Sequence, residues 1–435
     1  MKEITEDYFE KDIIHPVCCG IDVHKTWNFA AIVIYDVENH AVHCKTERFN
    51  NFAKGHKAMV EWMKMNHCTI ACMESTGQYW YPVFDAIEDA GLHPVVAQHP
   101  KYTKPQHGKK SDPSDAIWIG KSYASGRVIP SFIPPKKFRE QRGLVRCSVK
   151  FSYTVNSNKN RVLNCLTDAG IKLDDTFSDV FGKSSRAILD HIIQHPRELF
   201  DVTPFIDKSC KTPIPKIQEA IAKVPEMSDS ILEKMRISLE IVDKHEEYRK
   251  EIQEKVEKEL GEYQHILDLI RTVPGFNTNS FTAMRVLVEI GPDIHVFPTA
   301  KHFCSWAGVG ANHDSSAKKV KNRKISKGGQ YLKPLLVNIA KAVVRSKNHP
   351  EITRRFNRIK NRRGYMRAII AICKMFLTAI WNILSKDEPY RADGYMTKNN
   401  KAKKIMTISQ ALALLRSRGY TIIDHNSELL TTTGS

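Results

Sequence analysis

The sequence predicts an α/β domain, then a helical middle segment, then a mainly α-helical C-terminal domain. Strand-like apolar runs alternate with helix-spaced apolar residues up to about residue 125, Pro134-Pro135 opens a charged helical stretch, and the pattern changes again near residue 266. The chain has 435 residues, of which 42% are apolar and 26% are charged. This length and composition are typical of a globular protein with several domains.

The elements of the α/β part can be assigned in order. The first three predicted strands are VCCGIDV, NFAAIVIYDV and AVHCKTERF, and a helix, NFAKGHKAMVEWMKM, follows them. The fourth strand is TIACME, the next helix is STGQYWYPVFDAIEDAG, and the fifth strand is HPVVAQ. A basic loop, KYTKPQHGKK, leads to a last helix near SDPSDAIWIGKSYASG. The order β-β-β-α-β-α-β-α is that of a ribonuclease-H-like fold.

The middle and C-terminal parts are predicted to be helical. The segment ISLEIVDKHEEYRKEIQEKVEKELGEY indicates a long helix, either an antiparallel coiled-coil arm or a charged helix packed on its own domain. A helix, a Pro-Gly turn and a second helix follow in ILDLIRTVPGFNTNSFTAMRVLVEIG, as in a helix-hairpin-helix that meets a DNA phosphate with backbone amides. The apolar stretch AIIAICKMFLTAIWNIL contains Lys374, which favours a buried or amphipathic helix over a membrane span.

Positive charge is concentrated at the C-terminal end. Residues 301–435 hold 27 Lys and Arg against 7 Asp and Glu, whereas the first 300 residues hold 39 against 41. Such asymmetry indicates a polyanion partner, which we expect to be nucleic acid bound with a steep salt dependence. The predicted nucleic-acid-binding residues are Lys318, Lys319, Lys321, Arg323, Lys324, Lys327, Arg354, Arg355, Arg362 and Arg363.

The ten cysteines are scattered and form no CxxC pair, so a zinc ribbon or finger finds no support. The N-terminus lacks the basic start and apolar core of a signal peptide. We therefore expect mostly buried, reduced thiols in a cytoplasmic protein without a membrane partner.

Four carboxylates lie at positions that could form one metal site. Asp22 ends the first strand, Glu74 ends the fourth, and Asp112 and Asp115 open the last helix of the α/β part, one turn apart. Such a cluster of acids needs cations, and Mg²⁺ prefers oxygen ligands. Two ions about 3.5–4 Å apart would serve phosphodiester chemistry. The alternatives are that Asp112 caps the helix, Asp115 faces its dipole and Asp22 begins a turn.

Two blocks of sequence resemble one family. GIDVHK, MESTGQYWYP and SDPSDA resemble the DEDD motifs of Piv-related insertion-sequence transposases, the IS-one-ten family. VPGFNTNSFTAMRVLVEIG, FPTAKHFCSWAGVG and KNRKISKGGQYLKPLLVNIAKAVV resemble that family's second domain. The resemblance implies a RuvC-like nuclease domain in which Asp22, Glu74, Asp112 and Asp115 bind Mg²⁺, or Mn²⁺ in its place. The four segments are then a RuvC-like domain (1–130), a helical linker and coiled-coil arm (131–265), a C-terminal transposase domain (266–390) and a basic tail (391–435).

The same resemblance implies a nucleophilic serine. The stretch AGVGANHDSSAKKVKN aligns Ser316, which Ala317 follows, with the family's nucleophile, and a shift of one residue would select Ser315. The family's serine forms a phosphoserine link to DNA, assisted by the acids. His24 and His313 lie near the two motifs, and we expect each to be structural or a phosphate contact rather than a catalytic base.

The resemblance therefore implies a DNA transposase or recombinase guided by an element-encoded non-coding RNA, the bridge RNA. Its partners would be donor DNA, target DNA, this RNA and further copies of the chain in a dimer or tetramer. A bacterial or archaeal cytoplasmic protein associated with the nucleoid is expected. Three alternatives stay open: a Piv-like site-specific invertase, a RuvC-like junction endonuclease, and a non-catalytic nucleic-acid-binding protein.

Overall fold

The structure is a computed structural model that describes residues 2–7, 13–36, 38–75, 77–97, 112–310, 314–316, 319–322 and 328–392, with 413 and 415. Within 2–7, 314–316 and 319–322 it describes the backbone. The predicted tail and the basic loop before Asp112 lie outside these residues, apart from the first residues of the tail and positions 413 and 415.

The N-terminal part is a six-stranded mixed sheet in the order β1-β4-β3-β2-β5-β6. Its strands are β1 (Lys2–Asp7), β2 (Val17–Val23), β3 (Trp27–Asp36), β4 (Ala41–Asn50), β5 (Ile70–Glu74) and β6 (His93–Ala97). The first four pair antiparallel, and β5 and β6 continue parallel to β2. The order β4-β3-β2-β5-β6 is the ribonuclease-H-like arrangement, so the predicted fold class is confirmed. The edge strand β1 was not predicted, because KEITED lacks an apolar strand pattern.

Helices cover both faces of this sheet. They are α1 (Ala53–Met65), α2 (Trp80–Asp89) and α3 (Asp112–Ala124). Met59 and Val83, from α1 and α2, pack with Ile21 on one face, and Ile119 of α3 packs with Cys18 and Val33 on the other. Alternation along β2 sends neighbouring side chains to opposite layers, so both layers depend on this central strand.

A close contact between glycines holds α3 against β2. A Cβ atom on Gly20 would overlap the carbonyl oxygen of Ala116 and the backbone nitrogen of Gly120. Cys18 reaches the same turn of α3, with its Sγ atom 3.3 Å from the carbonyl oxygen of Gly120. The absence of side chains at both glycines lets the backbones of strand and helix touch, which fixes the start of α3 relative to the end of β2.

The middle of the chain forms a two-helix arm. Its long helices are α4 (Lys136–Asp168) and α8 (Asp229–Glu259). The ring centroids of Phe138 and Tyr263 lie 5.0 Å apart at one end, and Lys159 pairs with Glu246 at 2.9 Å further along. The helices therefore run antiparallel. The antiparallel arm, one of the two interpretations of this segment from the sequence, requires such a partner for α8.

A separate apolar cluster closes the far end of the arm. The short helices there are α5 (Leu173–Thr176), α6 (Lys183–Gln194) and α7 (Ile214–Ala220). Leu189 and Ile217 from these helices pack with Leu166 of α4 and Met235 of α8. This cluster secures the two long helices where they separate.

The C-terminal part is helical around one large core. Its helices are α9 (Gln264–Arg271), α10 (Ser280–Ile290), α11 (Ala300–Trp306), α12 (Leu332–Val343), α13 (Pro350–Arg363) and α14 (Tyr365–Lys386), and a hairpin of β7 (Asp314–Ser316) and β8 (Lys319–Asn322) lies between α11 and α12. Phe276, Phe303 and Phe376 are buried in this core. Phe138 of α4 and Val256 of α8 belong to it as well, so the base of the arm is built into the C-terminal part.

The helix α14 is long and apolar enough to cross a membrane, by length and composition only. Half of its most apolar window is buried inside the protein, where Ile369, Ile372 and Phe376 join the C-terminal core. The helix is thus a core helix, as the sequence predicted. The ten cysteines are free thiols and eight of them are buried, also as expected.

We predict that Gly20→Ala lowers the free energy of unfolding by about 3 kcal/mol, because the new methyl group forces β2 and α3 apart. Gly143→Ala is the matched control. Gly143 lies in α4 with no atom within 4 Å of an added Cβ, so alanine there should stabilise the helix by about 0.5–1 kcal/mol. Urea unfolding of both variants measures the difference. Equal stability of the two variants would contradict the close-contact argument.

Candidate functional site: an acidic cluster at the edge of the sheet

Two of the predicted acids lie side by side at the ends of parallel strands. Ile21 of β2 pairs with Met73 of β5, so Asp22 and Glu74 are the next residues on neighbouring strands. Asp112 and Asp115 lie in the first turn of α3, where the helix dipole stabilises negative charge. The fold therefore brings all four predicted acids to the region where β2, β5 and the start of α3 meet.

Three side chains converge there most closely. The ligand atoms of Asp22, His24 and Asp112 all lie within 4.8 Å of one another. The Nε2 atom of His24 is 3.0 Å from Oδ2 of Asp22 and 3.9 Å from Oδ1 of Asp112. Two carboxylates and an imidazole, each partly buried, could together supply three ligands to one divalent cation.

Glu74 and Asp115 do not belong to this three-residue set among the residues that the structure describes. Glu74 is half-buried at the last position of β5, and the Oδ1 atom of Asp115 is buried. Both lie on the elements that carry the set, Glu74 beside Asp22 and Asp115 one turn after Asp112. Their part in a metal site stays a prediction.

His24 was not among the predicted metal ligands and was expected to be structural or a phosphate contact, but the structure places it beside Asp22 and Asp112. Its ring stacks on Trp27, with centroids 3.8 Å apart, and the guanidinium carbon of Arg48 lies 5.0 Å from the centroid of the Trp27 ring. The spacing Asp22-Val23-His24 could have identified His24 as a neighbour of Asp22 from the sequence, because residues two apart along an extended chain share a face.

Hydrogen bonds fix the turn that carries His24. The backbone amide of His24 donates to the carbonyl oxygen of Trp27 at 3.0 Å, and Nδ2 of Asn51 donates to the carbonyl oxygen of His24 at 2.7 Å. The Oδ1 atom of Asn51 in turn accepts hydrogen bonds from Asn28 Nδ2 at 3.1 Å and from His56 Nε2 at 2.6 Å. The backbone of His24 is thus held by Trp27 on β3 and by Asn51, which Asn28 on β3 and His56 on α1 hold in turn.

The predicted nucleophile lies on the C-terminal hairpin. The backbone of Ser316 pairs with Lys319, and that of Ser315 pairs with Val320. Lys319 and Lys321 are on β8, whereas Lys318, Arg323, Lys324 and Lys327 lie outside the described residues. The structure thus places Ser315 and Ser316 next to each other on one strand, and the choice between them stays a prediction.

The remaining predicted basic residues lie on α13. Arg354, Arg362 and Arg363 are exposed, and Arg355 is partly buried against the last described segment of the chain. Burial is the main cause that lowers the pKa of Arg355, and the charge of Arg358 adds to it. The exposed residues of this helix form a positively charged surface that suits a polyanion.

Known families match both ends of the chain. Residues 19–171 match the IS110 DEDD transposase model, described as "Transposase", and residues 267–357 match the "Transposase IS116/IS110/IS902 family". Together these matches span more than half of the chain, and they include the four predicted acids and Ser316. No curated protein matches the chain in sequence.

Among solved structures, the chain is similar to "T. thermophilus RuvC in complex with Holliday junction substrate". The identity is 15%, the TM-score is 0.21, and the match covers 27% of this chain and all of that one. A likeness at this level adds nothing to what the strand order already shows.

The fold, the acidic cluster and the two family matches define a DEDD-type DNA transposase or recombinase, which is an enzyme. The chain belongs to the IS110 family of insertion-sequence transposases, the IS-one-ten family that its motifs resemble.

We predict that low pH destabilises the hydrogen-bonded group of Asn51 and His56 that supports His24. Burial lowers the pKa of His56, so the folded protein favours the neutral imidazole. A lowered folded pKa means that this contribution to stability is complete above the unfolded pKa of about 6.5 and is lost as the pH falls below it. His56→Gln keeps a donor for Asn51 without a titrating ring. Thermal melts between pH 7.5 and 5 should show a smaller loss of stability for this variant than for the wild type, and parallel curves would refute the argument.

Proposed function

We propose that this transposase cuts and rejoins DNA with its acidic cluster and Ser316. The observation that carries the proposal is the convergence of Asp22, His24 and Asp112 in a domain with a nuclease-like strand order. The three ligand atoms lie within 4.8 Å of one another, and two of them are carboxylate oxygens, so the set suits a divalent cation. A cation held there would polarise a phosphodiester at the atoms that react.

The ligands fit Mg²⁺ or Mn²⁺. Carboxylates suit both ions, and the imidazole of His24 tilts the set toward Mn²⁺ over Mg²⁺. We propose Asp22, His24 and Asp112 as direct ligands, with Glu74 and Asp115 completing the site. When bound, the ions would polarise the scissile phosphate and stabilise the leaving oxygen. The chain's own contribution is to orient the carboxylates through β2, β5 and α3.

Ser316 is the proposed nucleophile. Its hydroxyl oxygen would form a bond to a DNA phosphorus atom while the bond to the sugar oxygen breaks, so the strand is held as a phosphoserine link until another sugar hydroxyl displaces the serine. Lysines on the adjoining strand, Lys319 and Lys321, would balance the charge of the phosphate. Since the acids and Ser316 belong to two different parts of the chain, we further propose that the working enzyme is a dimer or tetramer.

We propose a guide RNA as a further partner. The positive charge excess of residues 301–435 and the exposed arginines of α13 support a second polyanion besides DNA. We also propose that the domains divide at residues 130, 265 and 390 and that the protein is associated with the nucleoid.

The guide RNA is tested by purifying the full chain from a host that carries its element and sequencing the bound nucleic acid. One discrete RNA is expected, and random RNA or none would favour direct readout of DNA by the protein.

We predict that Asp22→Asn removes metal binding together with DNA cleavage. Losing even a partner of a metal ligand costs roughly 10–100-fold in affinity or activity, so loss of a ligand should cost at least that much. Calorimetric titration with Mn²⁺ measures binding without any DNA. His24→Ala should also weaken Mn²⁺ binding, whereas Glu61→Gln, an exposed position on α1, should not. Unchanged Mn²⁺ affinity in Asp22→Asn would refute the site.

We predict that Ser316→Ala abolishes both the covalent protein–DNA adduct and strand rejoining, whereas Ser315→Ala retains both. Denaturing gels of labelled element-end DNA with Mg²⁺ show the adduct, and thermal melting confirms that each variant is folded. Cleavage that persists in Ser316→Ala with no adduct in the wild type would instead support a junction endonuclease. Rejoining confined to one fixed inversion site would support a Piv-like invertase.

A further inference from the structure

Four arginines lie around the carboxylate of Glu289: its charge acts on Arg142, Arg146 and Arg285, and the charge of Arg249 acts on Arg285. Arg142 and Arg146 lie on α4, Arg249 lies on α8, and Arg285 lies on α10. We call them the arginine cluster. None of them belongs to the acidic cluster, to the serine hairpin or to the basic surface of α13.

One carboxylate, Glu289, lies within the arginine cluster. Its oxygens accept hydrogen bonds from Nε and Nη2 of Arg146 at 2.8 and 2.7 Å, and the side chain is buried. The guanidinium carbon of Arg146 also lies 4.4 Å from the ring centroid of Tyr331. Burial by itself lowers the pKa of Arg146, but these bonds to Glu289 raise it overall. The charge of Glu289 is thus largely taken up by Arg146.

Among the residues that the structure describes, neither Arg142 nor Arg285 forms an ion pair with a carboxylate, although the charge of Glu289 acts to raise the pKa of both. Arg142 is only 7% exposed and hydrogen bonds to the neutral hydroxyl of Tyr81. Burial lowers the pKa of Arg142, and the neighbouring charge of Arg146 lowers it further. Burial likewise lowers the pKa of Arg285, with Arg249 adding to the effect. The Nε atom of Arg249 is buried and makes no hydrogen bond in the described part of the chain.

The neighbouring Arg139 shows what full pairing looks like. It lies one turn before Arg142 on α4 and is equally buried, at 8% exposure. Its Nη2 atom donates to Asp85 at 2.5 Å and to Glu88 at 2.6 Å, and its Nη1 atom donates to the carbonyl oxygen of Pro134 at 3.0 Å. Arg139 therefore clamps α4 to α2, whereas Arg142 contributes a buried charge without an acidic partner of its own.

We propose that the arginine cluster binds a backbone phosphate of DNA. The cluster carries four positive charges and one negative charge, and buried charge is costly unless it is paired. Guanidinium groups match the oxygens of a phosphate through paired hydrogen bonds, better than ammonium groups do. The side chain of Arg146 is 31% exposed, so the cluster is open to solution at that edge.

The position of the cluster favours DNA as the source of this phosphate. Tyr81 lies seven residues after Glu74, and Arg285 and Tyr331 belong to the part of the chain that carries Ser316. A strand bound to both parts of one chain would pass close to the cluster, because Arg142 contacts Tyr81 of the N-terminal part and Arg146 contacts Tyr331 of the C-terminal part. This inference rests on the proposed function for its choice of DNA, but it concerns binding and requires neither metal nor serine chemistry.

The test compares Arg142→Met with Arg139→Met in the full chain. The first measurement is the Tm in inorganic phosphate against chloride at equal ionic strength. We expect phosphate to raise the Tm of the wild type and of Arg139→Met, but not of Arg142→Met. Without phosphate, Arg142→Met should melt no lower than the wild type, because it removes an uncompensated buried charge, whereas Arg139→Met should melt lower, because it leaves Asp85 and Glu88 without their partner.

The second measurement is the binding of a 40-base-pair duplex and of a structured RNA as salt is varied. Arg142→Met should bind the duplex roughly tenfold more weakly, with a slope of log affinity against log salt that is smaller by about 1. Arg139→Met should keep the wild-type slope. These readouts need no cleavage, so a failed test of Asp22 or Ser316 leaves them intact.

Three results would overturn the proposal. A melting temperature that falls in Arg142→Met as it does in Arg139→Met, with an unchanged salt slope, would make Arg142 structural. A phosphate response with unchanged DNA binding would mean a site for a free anion. A change in the salt slope for RNA alone would assign the cluster to RNA.

Discussion

The contact between β2 and α3 at Gly20 and Gly120 is the constraint on which the candidate site depends. Asp22 lies two residues after Gly20 on the strand, and Asp112 lies two turns before Gly120 on the helix. Because the backbones touch, the carboxylate at the end of the strand and the carboxylate at the start of the helix meet within a few ångströms. A larger residue at either glycine would separate the two carboxylates and would also push β2 and α3 apart.

The cluster is further fixed from the opposite side. His24 is held by Trp27 through stacking and by Asn51 through its backbone carbonyl, and Asn51 is itself held by Asn28 and His56. These partners come from parts of the chain up to 32 residues apart, so tertiary contacts fix the backbone at His24, while its ring stacks on Trp27 within the same turn. Such support around a ligand keeps its geometry fixed before a cation binds.

The sequence alone predicted the ribonuclease-H-like succession of strands and helices and placed Asp22 and Glu74 at strand ends, because buried strands have a clear apolar pattern and a charge at the end of one stands out. It did not predict β1, a polar edge strand whose pairing comes from β4. The role of His24 depends on where α3 begins, which no local pattern contains. The partner of α8 stayed open, because charges on most faces of a helix do not say which face packs. The arginine cluster escaped notice because its members come from three helices and none is unusual in its local sequence.

The molecule contains two clusters of opposite charge, the acidic cluster and the arginine cluster. At the edge of the sheet, carboxylates lie close together and are proposed to bind cations, and on α4, α8 and α10 arginines outnumber the carboxylate of Glu289 and are proposed to bind an anion. A phosphodiester strand with divalent ions satisfies both, since it brings phosphates to the arginines and the ions to the acids. If both proposals hold, the two clusters bind the same substrate through opposite charges, the acids through its metal ions and the arginines through its phosphates.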